Sequence, residues 1–155
     1  LIYELVGPLL TKEALTAVLP ILANLPEWNQ EAIHAALFAE IEKLGVKNGW
    51  LLYPLRVAVS GKQFTPGGGI ELAVVLGREE TLRRLALRLA DKARHTGEKI
   101  MLEPMNRHER KIIHMALQDN HRVMTYSAGE EPFRKLVIEP KHAPRRDYKA
   151  REYDE

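Results

Sequence analysis

The sequence contains no cysteine, which excludes disulfide bonds and thiol chemistry. It has no apolar run approaching the ~20 residues that a membrane-spanning helix needs, and no signal peptide is visible. Aromatic residues make up only 6% of the 155 residues, while hydrophobic residues make up 45% and charged residues 28%. These proportions are typical of a soluble globular protein of one domain or two small ones. We therefore expect a cytoplasmic protein without a membrane partner.

A large excess of charge of one sign is also absent, because the formal net charge is only +2. The charges are nevertheless unevenly distributed. Residues 1–87 contain 8 of the 23 Lys and Arg and 9 of the 21 Asp and Glu, which leaves 15 and 12 for residues 88–155. This cationic bias of the C-terminal half favours a nucleic-acid surface there, although it is a weak indication alone.

The motifs of catalysis and metal binding are incomplete. His108-Glu109 begins like the H-E-x-x-H zinc motif, but Ile112 occupies the place of the second histidine. The run 67–69 lacks the Gly-Lys-Ser/Thr of a phosphate-binding loop and follows no predicted strand. Six scattered histidines without cysteine give little support to a metal site. We predict a protein that has no catalytic residues and needs no metal or cofactor.

Apolar periodicity predicts helices over most of the first 95 residues. Residues 1–26 have a helical, apolar pattern, in which Pro20 is expected to kink or shorten the second segment. The chain begins without Met and almost at once on apolar residues, which suggests a cut inside a larger helical domain. Further helices are predicted from Asn29 to Gly45, over 47–60, over 70–76 and from Arg78 to about His95.

After Gly97 the pattern changes to alternation and turn signals. Strands are predicted over 99–103, 122–127 and 134–139, with the last two joined through the turn 128–132. Between the first two strands, Asn106 is a suitable N-cap for a helix that runs to about Asp119. Residues from Lys141 onward are charged and poor in apolar groups, which is typical of a disordered or loosely docked tail.

The helix after Asn106 has two opposite faces. At about 100° per residue its cationic and hydrogen-bonding residues share one sector, which we expect to face water. They are Arg107, Arg110, Lys111, His114 and Gln118. Arg110 and His114 are one turn apart, so both side chains could reach one phosphate or one base. Without further context, an ordinary solvated helix face is the commoner origin of such a pair.

An Arg followed four residues later by a His, in E-R-K-I-I-H (109–114) after L-E-P-M-N (102–106), resembles the signature of the R-three-H domain in bacterial Jag proteins. The similarity continues through 123–134 and 136–141 and reaches back to 81–93. It implies a small α/β domain that binds single-stranded RNA or DNA through Arg110 and His114.

The same resemblance gives supporting roles to five residues. Arg107, Lys111 and Arg134 are candidates for phosphate contacts. Ser127 and Gly129 offer a hydroxyl group and a backbone amide that a ligand can approach closely. Solvated charges, or a plain turn in the case of Ser127 and Gly129, explain these residues about as well.

The N-terminal half resembles another family. P-L-R-V-A-V-S-G (54–61), T-P-G-G (65–68) and the run 71–85 are similar to the all-helical, C-terminal part of the anticodon-binding domain of bacterial glutamyl-tRNA synthetase. The resemblance implies tRNA contacts in the parent by Arg56, Thr65, Pro66 and Gly67. Because the rest of the anticodon-binding surface is not visible in this sequence, we favour a plain glycine-rich turn over selective tRNA binding.

The two resemblances overlap at 77–85, which fits the last synthetase helix and the first R-three-H helix alike. We predict an α+β protein with a helical fragment over 1–77, a three-stranded R-three-H-like domain over 78–141 and a charged tail over 142–155. The predicted function is non-catalytic binding of single-stranded nucleic acid. The alternative is a recombined or engineered chimera selected for folding, without activity, whose exposed apolar faces favour a homo-oligomer.

Overall fold

The computed structural model describes residues 11–141, so the expectations for residues 1–10 and for the tail at 142–155 lie outside the described part. Within it there are six helices and three strands. The helices are α1 (Lys12–Ala23), α2 (Gln30–Leu44), α3 (Asn48–Ser60), α4 (Gly69–Leu76), α5 (Arg78–Thr96) and α6 (Arg107–Leu117). The strands are β1 (Ile100–Met101), β2 (Val123–Ala128) and β3 (Lys135–Pro140). The predicted α+β class, helical first and with a small sheet afterwards, is confirmed.

Local signals in the sequence explain where the first helices begin and end. Thr11 caps α1, because its hydroxyl accepts a hydrogen bond from the Ala14 amide at 3.2 Å. Pro20 lies inside the last turn of α1, which ends at Ala23. The predicted cap Asn29 accepts a hydrogen bond from the Ala32 amide at 2.7 Å, and α2 stops at Gly45, whose φ of 67° suits glycine.

Helix α5 is the element that both halves of the molecule share. Its predicted apolar face is buried in full. That face consists of Leu82, Leu85, Ala86, Leu89, Ala90 and Ala93. Helix α5 packs against α1, α3 and α4 from the first half and against α6, β2 and β3 from the second. The buried apolar residues of the two halves therefore form one continuous core.

Polar contacts reinforce this junction around Arg78, the first residue of α5. The Arg78 guanidinium donates a hydrogen bond to the Ala23 carbonyl at 3.2 Å and lies over the Trp28 ring at 5.4 Å from its centroid. The same group is 3.9 Å from the carboxylate of Glu109 in α6. Arg78 therefore links Ala23 and Trp28 of the helical half to Glu109 of α6. No helix among residues 11–141 has the length and apolar character needed to cross a membrane.

The sheet is antiparallel with the order β1-β3-β2. Ile138 of β3 is paired with Ile100 of β1 on one side and with Thr125 of β2 on the other. The three predicted strands are present, but β1 is shorter than the predicted 99–103. The Leu102 amide still donates to the Leu136 carbonyl of β3 at 3.0 Å, but pairing cannot continue to Pro104, which has no amide. Asn106 then caps α6 by accepting a 3.2 Å hydrogen bond from the Glu109 amide.

Candidate nucleic-acid interface

An open depression of about 610 Å³ lies between α6 and the hairpin formed by β2 and β3. Six of the seven residues predicted to bind nucleic acid line it. They are Arg107, Arg110, Lys111, His114, Ser127 and Arg134. The seventh, Gly129, lies in the adjacent turn, where its carbonyl accepts a hydrogen bond from the Arg134 guanidinium at 2.7 Å. Two separate stretches of sequence thus contribute to one concave surface.

The lining of the depression is cationic. Three arginines and one lysine face two carboxylates, those of Glu130 and Glu131. Arg107 and Lys111 are exposed, and within residues 11–141 neither side chain makes a hydrogen bond or an ion pair. These two cations are therefore available to an incoming anion without the loss of an internal contact.

Arg110 does not face water as predicted, since only 6% of its surface is exposed. Its Nη1 donates hydrogen bonds to the carbonyls of Met105 at 2.8 Å and Arg134 at 3.3 Å. Its Nη2 forms an ion pair with the Glu131 carboxylate at 2.5 Å. The reason is tertiary, because the β2–β3 turn folds against α6 and brings these acceptors to the guanidinium. Arg110 therefore ties α6 to the hairpin and forms part of the floor of the depression.

His114, one turn further along α6, remains exposed. Its Nδ1 shares a hydrogen bond with the Thr125 hydroxyl of β2, and this bond fixes the ring against the hairpin. Sequence reasoning missed Thr125, which carried no signal beyond its place in a strand. It also missed Glu130 and Glu131. The available signal was an acidic pair in the predicted turn 128–132, directly after Gly129.

The turn between β2 and β3 positions these acidic side chains. Gly129 has a φ of 87°, a conformation that a residue with a side chain adopts only under strain. The turn is closed by the Phe133 amide, which donates to the Glu130 carbonyl at 2.9 Å. The role of Gly129 in the structure is consequently backbone geometry, while contact of its amide with a ligand stays a prediction.

Glu131 behaves as an internal anionic partner of the site. The hydrogen bond from Arg110 is the main cause that holds the pKa of Glu131 below its usual range. Desolvation opposes this shift, whereas the charges of Arg110, Arg134 and Arg107 lower the pKa further. The carboxylate is therefore ionised at neutral pH and uses N–H groups that a phosphate oxygen would also use.

We expect the Glu131→Gln variant to bind single-stranded nucleic acid about fivefold more tightly, because a negative charge that competes for Arg110 is removed. Titration of a labelled strand at constant ionic strength measures the change. Glu42→Gln is the matched control, since Glu42 is exposed on α2 and changes the net charge equally. Equal affinities of the two variants would contradict the assignment of Glu131 as a competitor.

The four residues with a predicted tRNA contact do not line this depression. The Arg56 guanidinium donates to the Gln63 carbonyl at 3.0 Å and lies 4.9 Å from the centroid of the Tyr53 ring. The Thr65 hydroxyl bonds to the Gly67 carbonyl, beside the exposed Pro66. These contacts are those of a self-bonded turn, the interpretation favoured from the sequence. Arg56 also borders a groove of about 360 Å³ between α2, α3 and α4. A tRNA contact there stays a prediction.

Comparison with known families identifies both halves. Residues 8–89 match the family model of the anticodon binding domain, and this matched range is more than half of the chain. Residues 80–140 match that of the R-three-H domain. The matches overlap at 80–89, within α5. The two domain families expected from the sequence are thereby confirmed, whereas the relation to the Jag proteins stays a prediction.

Curated relatives match the N-terminal half. The chain is 51% identical over 75 residues to the glutamate–tRNA ligase of Clostridium tetani, covering 48% of this chain and 15% of the relative. It is 42% identical over 81 residues to that of Clostridium acetobutylicum, covering 52% of this chain and 17% of the relative. The chain thus spans less than a fifth of the length of these relatives, and the match lies within their non-catalytic anticodon-binding part.

Proposed function

The chain belongs to the anticodon-binding domain family through residues 8–89 and matches the R-three-H domain over 80–140, and on this basis we propose that it is a non-catalytic protein that binds single-stranded RNA or DNA. We assign the binding to the R-three-H part, in the depression between α6 and the β2–β3 hairpin. We further propose that the cytoplasm is its compartment, which fits the absence of cysteine from the sequence.

The observation that carries this proposal is the convergence of the lining. Cations from α6 and from the hairpin meet in one concavity, beside the imidazole of His114. Arg107 and Lys111 are suited to neighbouring phosphates, while His114 can donate a hydrogen bond to a base or stack on it. A flexible single strand can bring a phosphate and an unstacked base into one depression together. A duplex keeps its bases paired, which favours the single strand as ligand.

We propose a division at about residue 77, with the R-three-H-like unit over 78–141 as the binding part and the helical fragment over 1–77 as its support. This proposal rests on the contacts of α5 with α1, α3 and α4 and on the Arg78 junction, which hold the first helix of the binding part in place. The charged segment 142–155 is assigned no role in it.

The experiment that tests the function is fluorescence anisotropy with a labelled single strand, a duplex of the same sequence and a folded tRNA. We expect the single strand to bind most tightly, with an affinity that falls as salt rises because phosphate contacts release counterions. We expect no preference for the tRNA over an unstructured RNA of the same length, because the 61–68 loop is bonded to itself. Tighter binding of the duplex would contradict the single-strand assignment. A folded protein that binds none of these ligands would support the alternative of an inactive chimera.

Homo-oligomerisation is a separate prediction. Large apolar side chains are exposed in the helical half, among them those of Leu44, Phe64, Val74 and Val75. Light scattering at high protein concentration should therefore give a mass above that of one chain. A mass of one chain at every concentration would contradict the prediction.

A further inference from the structure

We propose that the groove between α5 and α6 is a second nucleotide subsite, which takes the next base of a single strand bound in the depression. This inference rests on the proposed function and extends it from one site to a path along the protein. The groove has a volume of about 370 Å³, and neither family signature nor any predicted binding residue other than Lys111 pointed to it.

The floor of the groove is apolar and belongs to α6. Ile112, Met115 and Ala116 line it at the i, i+3 and i+4 spacing that places residues on one helical face. Met115 is 54% exposed, although the rest of the apolar face of α6 is turned towards the core. A flexible thioether beside aliphatic groups offers a surface for the flat face of a base, and such contact does not depend on the base sequence.

Two cations lie at the rim, Arg83 of α5 and Lys111 of α6. The imidazole of His108 borders the groove beside them, and Glu79 is the one carboxylate among its lining residues. Arg83 is held by a bidentate ion pair with Glu80, at 2.5 Å for the closest atoms, and Arg84 lies 3.1 Å from the same carboxylate but outside the groove. Lys111 is the rim cation that makes no ion pair within residues 11–141. An apolar floor with a cationic rim matches a nucleotide, which has an apolar base face and an anionic phosphate.

Lys111 makes the groove continuous with the depression. Its side chain lines both, so a phosphate held by Lys111 would have one neighbouring nucleotide on the His114 side and the other on the Met115 side. His114 and Met115 are consecutive residues of α6 that flank Lys111 in space. This continuity with the primary site favours the same strand as the occupant over a protein partner.

The test uses the full chain and two labelled single strands, of about three and about eight nucleotides. The variants are Arg83→Ala and Met115→Ala, which change the groove and leave the lining of the depression intact. Arg94→Ala is the matched control on α5, because Arg94 is exposed and lines neither site. Met101→Ala is the control for Met115, since Met101 is 52% exposed on β1.

We expect Met115→Ala to lower the affinity for the longer strand about fivefold, because only the longer strand reaches the groove. The affinity for the shorter strand should hardly change. Arg83→Ala should reduce the salt dependence of the longer strand by about one phosphate contact and leave that of the shorter strand unchanged. The control variants should change neither the affinity nor the salt dependence of binding for either strand.

Two results would overturn the inference. If the groove variants affect both strands equally, or have no more effect than their controls, the groove is not a subsite and the depression alone binds the strand. If the wild type binds neither strand, the proposed function fails and the inference fails with it. The first result leaves the proposed function standing, so the two failures are distinguishable.

Discussion

A protein with Arg107 and Lys111 both replaced by alanine is expected to bind single-stranded nucleic acid about 25-fold more weakly at about 0.1 M salt. On a single strand each phosphate contact contributes about 0.7 to the slope of log K against log salt, which is about fivefold in affinity per contact at that concentration. Two lost contacts should lower the slope by about 1.4. Because neither side chain makes a hydrogen bond or an ion pair within residues 11–141, the free energy of unfolding should stay nearly unchanged.

The matched control for this pair is Lys47→Ala with Lys62→Ala. Both lysines are exposed in the helical half and line neither the depression nor the groove, and their loss changes the net charge equally. If binding depends on the overall charge alone, both double variants will lose the same affinity. A loss confined to the Arg107/Lys111 variant would place the phosphates in the depression, whereas equal losses would contradict this placement.

The helices were predictable because each carries its own signals. The caps at Asn29 and Asn106, the stop at Gly45 and the apolar face of α5 all act within one or two turns of the chain. The sequence also indicated six of the eight residues that line the depression, since their order in α6 and the hairpin follows a family signature. Periodicity could locate these faces because it depends on backbone geometry, which a local sequence largely determines.

The surroundings of Arg110 were not predictable in this way. A helical wheel places Arg110 on the same face of α6 as Lys111 and His114, and it does lie on that face. The wheel cannot indicate that another segment folds over this part of the face and buries Arg110. The carbonyls of Met105 and Arg134 and the carboxylate of Glu131 reach it through the tertiary course of the hairpin.

The shared helix α5 explains how two families can coexist in one chain. Its apolar face packs against elements of both halves, and residues 80–89 belong to both family matches. A helix presents its sides independently, so α1, α3 and α4 can pack on one part of its surface while α6 and the sheet pack on another. The continuous core implies that unfolding of either half exposes apolar surface of the other. We therefore expect the two halves to unfold together.

Replacing Arg110 by alanine is expected to lower the free energy of unfolding by about 2 kcal/mol, because the buried carbonyl of Met105 and the partly buried carbonyl of Arg134 lose their donor. The aliphatic part of the side chain, which is also buried, adds to this loss. Arg110→Lys should recover only part of the stability, since one ammonium group cannot reproduce the planar fork that serves three acceptors. Urea unfolding measures the effect, and the dependence of the free energy of unfolding on urea concentration should stay unchanged.

Glu131→Gln separates the two contributions of Arg110, because it removes the exposed ion pair and leaves both carbonyls with their donor. Its stability should therefore stay close to that of the wild type.

The Arg110→Ala/His114→Ala double variant should lose stability, and its affinity for single strands should fall at least about tenfold. The affinity must accordingly be measured well below the unfolding midpoint, so that it reports the folded protein. If the folded double variant bound single strands as tightly as the wild type, Arg110 and His114 would only brace the hairpin, and the phosphate contacts would belong to Arg107 and Lys111. If Arg110→Ala left the stability unchanged, its carbonyl partners would be satisfied by water, and the arginine would be free to leave them for a ligand.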